Sequence, residues 1–199
     1  MAMGRVFCLL GKSGAGKDTL LECIIKDRAI ALTPVVTYTT RPMREGEEDG
    51  VHYHFVCEDD MRALARQGKI IESREYHSVH GVWYYFTAVF DLTPGKNYII
   101  ITTPQGAKKL AQTFGYSNVA LIYLKAGDRL RLTRSIAREG AQSSPNYSEV
   151  CRRYLADEED FAELDFPALH TIDGNRNREY CLSQFRDIYN RIAEHTDLD

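Results

Sequence analysis

The sequence predicts an α/β fold: a mostly parallel sheet covered on both faces, carrying a small mixed β lobe and a helical projection. Three observations lead there. Short apolar runs alternate with helix-like patterns along most of the 199 residues, as strands joined by crossover helices do. The first apolar run, 5–10, turns through glycines straight into a helical pattern. The interval 37–92 breaks the alternation, with aromatic-rich β segments at 52–56, 70–76 and 82–86 around one helix near 58–67. Apolar residues make up 44% of the chain, enough to bury a sizeable core in one domain.

Taken in order, the core strands are expected at 5–10, near 34–38, and at 97–102, 119–124 and 168–172. They read as near-continuous apolar runs because a parallel strand is buried on both faces. Helices are expected at 17–27, 104–113, 127–138, 147–162 and 178–194. Between two of these, Gly140-Ala141-Gln142-Ser143-Ser144-Pro145-Asn146 marks a flexible connection. The single domain then divides into a core (1–36, 93–126 and 161–199), a lobe (37–92) and a lid (127–160). Two projections on one core suit an enzyme that closes over two substrates and excludes water.

The run Gly11-Lys12-Ser13-Gly14-Ala15-Gly16-Lys17-Asp18-Thr19 is a phosphate cradle in its required strand–loop–helix setting. Backbone N–H groups converge there and the helix dipole adds positive potential. Gly11, Gly14 and Gly16 let the chain approach a triphosphate, with Ser13 and Ala15 between them, and Lys17 reaches the β/γ-phosphates as a point charge. ATP is the expected donor. The position after the lysine ordinarily carries a hydroxyl that binds Mg²⁺, and here it is Asp18. A carboxylate is also a hard-oxygen ligand, so either Asp18 takes the metal or Thr19 does.

The bulk numbers bound the rest. A net charge of −3 argues against a general nucleic-acid binder, so any basic surface is local. Five cysteines with no CxxC pair fit reduced, mostly buried thiols in a cytoplasmic protein. No signal-like stretch opens the chain and no apolar run is long enough for a membrane span. His52, His54, His77, His80 and Cys57 match no zinc spacing. The run Asp157-Glu158-Glu159-Asp160 reads as a solvated helix end, and Trp83-Tyr84-Tyr85 as lobe packing, Tyr85 excepted.

A second signal lies in the lobe. Arg41 and Arg44, three apart in a Gly/Pro-containing stretch, can grip one phosphate through bidentate bonds, and the Tyr53 hydroxyl can donate to the same oxygens. On these residues the chain resembles the guanylate kinases, whose acceptor lobe carries a Ser/Thr-x-x-x-Arg-x-x-Arg run, a glycine turn and Tyr-x-Phe. Thr37, Arg41, Arg44, Tyr53 and Phe55 fall on those positions, and Glu72 and Tyr85-Phe86-Thr87 look like the family's glutamate and Tyr-Gly-Ser/Thr unit. The resemblance implies a P-loop nucleoside monophosphate kinase core and an acceptor GMP or dGMP. It places the GMP phosphate on Arg41, Arg44, Tyr53 and Tyr85, guanine N1/N2 on Glu72, and O6 on Thr37 and Thr87. Adenine lacks that donor pair, which would leave a buried carboxylate unpaired.

In the expected helix at 127–138, Arg131, Arg134 and Arg138 form one basic stripe at i, i+3 and i+7. Guanylate kinases carry lid arginines of this kind, and Arg134, Arg138 and Arg153 match best, with Arg152 competing with Arg153. Their implied role, with Lys17 and Arg41, is to neutralise charge on the transferring phosphoryl group. Asn175 sits where the family places an asparagine near adenine. The chain departs from the family at Phe86, which replaces a glycine, and in the longer stretch from Glu72 to Tyr85. Thr103-Pro104-Gln105-Gly106 stands for Asp-x-Gln-Gly, so Thr103 replaces an acceptor-site acid, and Asp18 is expected to compensate in part. The Gly-Lys-Asp form of the loop also resembles ribose 1,5-bisphosphate phosphokinases. A third reading is a non-catalytic guanylate-kinase-like module that binds a phosphorylated protein segment.

Overall fold

The computed structural model describes residues 4–78, 81–162, 164, 166 and 168–194. Its central sheet holds five parallel strands: β1 (Val6–Leu10), β2 (Leu32–Pro34), β7 (Asn97–Ile101), β8 (Val119–Lys125) and β9 (Leu169–Asp173). Their order is β2-β7-β1-β8-β9, which puts β1 and the loop after it at the middle of the sheet. The remaining strands are β3 (Tyr38–Thr39), β4 (His54–Phe55), β5 (Ile70–Ser78) and β6 (Gly81–Ala88). The helices are α1 (Lys17–Lys26), α2 (Glu58–Arg66), α3 (Pro104–Phe114), α4 (Asp128–Gly140), α5 (Tyr147–Asp160) and α6 (Arg178–Glu194).

Every residue of β1 is buried, because the strand feeds two cores at once. Phe7 and Leu9 point into a core with Ile24 of α1 and Phe185 of α6, whereas Val6, Cys8 and Leu10 point into one with Leu110 of α3 and Phe161. That period-2 split between two apolar faces explains why the strand reads as one unbroken apolar run.

The expected strand near 34–38 is two elements. β2 ends at Pro34 on the edge of the central sheet, and β3 belongs to a second, mixed sheet ordered β4-β3-β6-β5. Proline tolerates this edge position, lacking only an outward N–H, and the chain then crosses into the lobe. The expectation of mostly buried thiols also needs correcting. Cys8 and Cys181 are buried, Cys23 is half-buried, and Cys57 and Cys151 are exposed, all as free thiols. Among the described residues no helix is long and apolar enough to cross a membrane.

Candidate active site

The loop after β1 is shaped by its glycines and held by α4. Gly14 has φ +78°, a left-handed backbone that L side chains rarely adopt. A Cβ there would lie 2.4 Å from the Arg131 carbonyl oxygen and 2.7 Å from Ser135 Oγ. Gly16, also left-handed, caps α1, so Lys17 opens the helix. The Lys17 ammonium donates to the Gly11 carbonyl at 2.6 Å. Burial holds its pKa below the ordinary lysine value, while Asp18 and Asp157 pull it back up.

The lid docks on this loop. Arg131, only 2% exposed, donates from Nε to the Ser13 carbonyl and from Nη1 to Asp128 and Glu158. Arg134 donates to the carbonyl oxygens of Gly14 and Ala15. From α5, Glu158 pairs with Lys12 at 2.5 Å, and the Asp157 carboxylate accepts from the Ser13 amide at 2.6 Å. A P-loop amide is thus already occupied by an anion from the chain itself. Asp160 pairs with Arg74 of the lobe. The acidic run is therefore no solvated helix end: three of its four members bind cations or an amide, and only Glu159 is exposed.

The lobe contributes a second wall through the β5–β6 hairpin. A bulge at Ile71 shifts the register so that Glu72 faces Thr87, and Arg74 then faces Tyr85. Directly opposed residues share a face, and so do residues two apart on one strand, so Glu72, Arg74, Tyr76, Tyr85 and Thr87 line up together. Thr87 Oγ1 donates to Glu72 Oε1 at 2.6 Å. Burial pushes the Glu72 carboxyl up from its ordinary value, against the Thr87 bond and the charge of Arg74. Gly106 leaves the room behind it: a Cβ there would stand 2.2 Å from Thr102 Oγ1 and 3.4 Å from the Glu72 carboxyl carbon.

Arg41 is the anchor of the neighbouring loop. It is 4% exposed and donates to the Tyr85 hydroxyl at 3.0 Å, to Glu47 at 2.8 Å and to the Pro42 carbonyl at 2.6 Å. Its guanidinium lies 5.7 Å from the Tyr53 ring centroid and 5.5 Å from that of Phe55. Burial also raises the Tyr53 hydroxyl's pKa, so it stays a proton donor.

One cavity of about 420 Å³ joins these walls. The loop supplies Gly11, Ser13, Gly14, Lys17 and Asp18; the lobe supplies Thr37, Arg41, Arg44, Tyr53, Glu72 and Tyr85; Thr103, Arg138 and Arg153 complete the expected set. Five expected residues stand off the lining. Ala15 and Gly16 belong to the loop backbone, Thr19 is exposed in the first turn of α1, and Arg134 braces the loop backbone. Thr87 acts through Glu72. Thr103 caps α3, its Oγ1 accepting from the Gly106 amide at 3.2 Å. Asn175 accepts from the Gly127 amide at the foot of α4. His52 Nδ1 accepts from the Glu48 amide, the His54 ring packs on Tyr38, and His80 lies outside the described residues.

Arg152 lines the cavity beside Arg153, and Arg74, Tyr76 and Asp157 line it beyond the residues that the motifs picked out. Arg74 and Tyr76 follow Glu72 at a spacing of two, a signal the alternation of strand faces could have supplied. Cations from two projections crowd the same space. The Arg153 guanidinium is held below its ordinary value by burial and then by the charges of Arg44 and Arg138.

A lysine-bearing glycine loop, facing an arginine-rich lobe and braced by a two-helix lid, defines a P-loop kinase. A family model described as guanylate kinase matches residues 3–175. A guanylate kinase of Cupriavidus pinatubonensis is 31% identical over 98% of this chain and 90% of its own length. One of Paraburkholderia xenovorans is 32% identical over 98% and 87%. The chain belongs to the guanylate kinase family and is an enzyme of that family. Two solved structures share its fold. The guanylate kinase of Anaplasma phagocytophilum matches with a TM-score of 0.64 at 21% identity, covering 96% of this chain and 86% of that one. A gluconokinase of Sinorhizobium meliloti 1021 matches with 0.53 at 13% identity, covering 97% and 95%.

Proposed function

We propose that this enzyme transfers the γ-phosphoryl group of ATP to GMP or dGMP, giving ADP and GDP or dGDP. The observation that carries the reading is the convergence of Arg44, Arg138 and Arg153 on one cavity, close enough for two of them to depress the third. Like charges so arranged are stabilised by anions between them, and a phosphoryl group in transfer between two nucleotides is such an anion.

The donor's β- and γ-phosphates lie in the loop amides with Lys17 against them. Asp18, on the cavity wall beside Lys17, suits Mg²⁺ as a hard-oxygen ligand better than Thr19, which is off the lining. When bound, Mg²⁺ neutralises charge on the donor's phosphate oxygens. Arg41, Arg44, Tyr53 and Tyr85 hold the acceptor phosphate, one oxygen of which attacks the γ-phosphorus in line as the bond to the β-bridging oxygen breaks. Arg138 and Arg153 neutralise the charge that develops, and no protein nucleophile is needed. Glu72, kept in place by Thr87, accepts from guanine N1 and N2, with Thr37 on O6; the Thr87 hydroxyl proton is already committed to Glu72. The division into core 1–36, 93–126 and 161–199, lobe 37–92 and lid 127–160 follows from the same roles.

The test is ADP release from ATP and Mg²⁺ with GMP, dGMP, AMP, UMP and ribose 1,5-bisphosphate offered in parallel. Turnover confined to the guanine nucleotides is expected. Turnover only with the sugar bisphosphate, or with no acceptor at all, would overturn the proposal.

A further inference from the structure

Arg74 carries a hydrogen-bond donor that finds no partner among the described residues. Its Nη2 is held by Asp160 and its guanidinium carbon lies 5.2 Å from the Tyr76 ring centroid. Its Nη1 is buried and has no hydrogen-bond partner among the described residues. An orphaned buried donor is disfavoured unless something else meets it, and Arg74 lines the cavity.

The register says what that something is, given the acceptor reading above, on which this inference rests. Along the β5–β6 ladder, the Glu72–Thr87 pair forms the base end of the acceptor site. Tyr85, bonded to Arg41, forms the phosphate end. Arg74 stands one pair on from Glu72, about 7 Å along the strand, and opposite Tyr85. At the strand Arg74 is level with Tyr85, but its guanidinium turns to Asp160 and its charge bears on Glu72, whereas the Tyr85 hydroxyl meets Arg41. The guanidinium thus stands on the Glu72 side of the phosphate end, where a nucleotide carries its pentose. The charge balance agrees. Asp160 already neutralises Arg74, so the orphaned nitrogen suits a neutral oxygen acceptor better than another phosphate, for which Arg41 and Arg44 are at hand.

We propose that Arg74 reads the sugar of the acceptor, its Nη1 donating to a pentose hydroxyl, so that the enzyme selects ribonucleotides over deoxyribonucleotides. A sugar without that hydroxyl leaves the donor orphaned in the closed complex, a difference of about tenfold to a hundredfold in kcat/KM.

The experiment compares kcat/KM for GMP, 2′-deoxy-GMP and 3′-deoxy-GMP in the wild type, Arg74→Lys and Arg74→Met. Lysine keeps a cation for Asp160 but not the second nitrogen. The wild type is expected to disfavour at least one deoxy analogue, and both variants to lose that preference by slowing on GMP while their rates on the deoxy analogue hold. Thermal unfolding of Arg74→Lys near the wild-type temperature separates this from a folding defect. Equal use of all three nucleotides by the wild type would overturn the proposal, as would an unchanged preference in Arg74→Lys. Absence of any turnover with GMP in the wild type would instead sink the acceptor reading, and this inference with it.

Discussion

Gly14→Ala tests whether the lid rests on the phosphate loop as described. The new Cβ would sit 2.4 Å from the Arg131 carbonyl oxygen and 2.7 Å from Ser135 Oγ, so α4 must yield by about an ångström relative to normal contact distances. The residue would also hold φ +78°, which costs an L side chain roughly 1–2 kcal/mol. Overpacking of this kind adds about 1–3 kcal/mol, giving about 2–5 kcal/mol in all. For a chain of this size that lowers Tm by roughly 4–20 °C. If α4 swings away instead, the loss of stability is smaller but the 140–146 connection opens to protease. Thermal unfolding and limited proteolysis, run side by side, cover both routes. A Tm within about 2 °C of the wild type, with proteolysis of that connection unchanged, would refute the docking of lid on loop.

Three further outcomes are expected. Arg131→Met leaves Asp128, Asp157 and Glu158 without the buried cation they share, at about 3–5 kcal/mol, which thermal unfolding should record as a fall of roughly 6–20 °C. Asp157→Ala frees the Ser13 amide, and since a charged hydrogen bond contributes about 1.5–3 kcal/mol, calorimetric titration with ATP should show binding at least about tenfold tighter. Weaker binding would show that the carboxylate assists the donor rather than competing with it. Glu72→Gln should alter the pH dependence of stability. Because burial raises the Glu72 pKa in the folded state, the wild type holds its proton more tightly folded than unfolded. It thus loses stability as pH rises through the unfolded value, about 4.3, toward the folded one. The glutamine variant escapes that loss, so urea titrations at pH 4 and pH 7 should show it gaining on the wild type at the higher pH, while its guanine selectivity falls.

What the sequence made legible was local. The phosphate loop declares itself within nine consecutive residues, and β1 through its unbroken apolar run, because strand, turn and helix each leave a short-range pattern. The lobe was legible as an interruption of the α/β rhythm, but the bulge at Ile71 was not, since nothing in the residue order distinguishes 70–72 from regular strand. The split of the segment near 34–38 between two sheets depends on partners, not on propensity. The acidic run was misread for the same reason. Its partners, Lys12 and Ser13 at one end and Arg74 at the other, lie between 86 and 146 residues away in the chain. An isolated helix ending in four acids has no cause to bury them. A docked one does, once Arg131 is beneath it.

Asp157 puts a negative charge of the lid on the phosphate loop. The Asp157 carboxylate of the lid already sits on the Ser13 amide, so on the proposed function a donor phosphate would enter that part of the loop by exchange with an anion of the chain itself. Nucleotide affinity would then be set by two anions that contend for the same amide. A small anion from solution would meet the same competitor, with fewer contacts than a nucleotide to set against it.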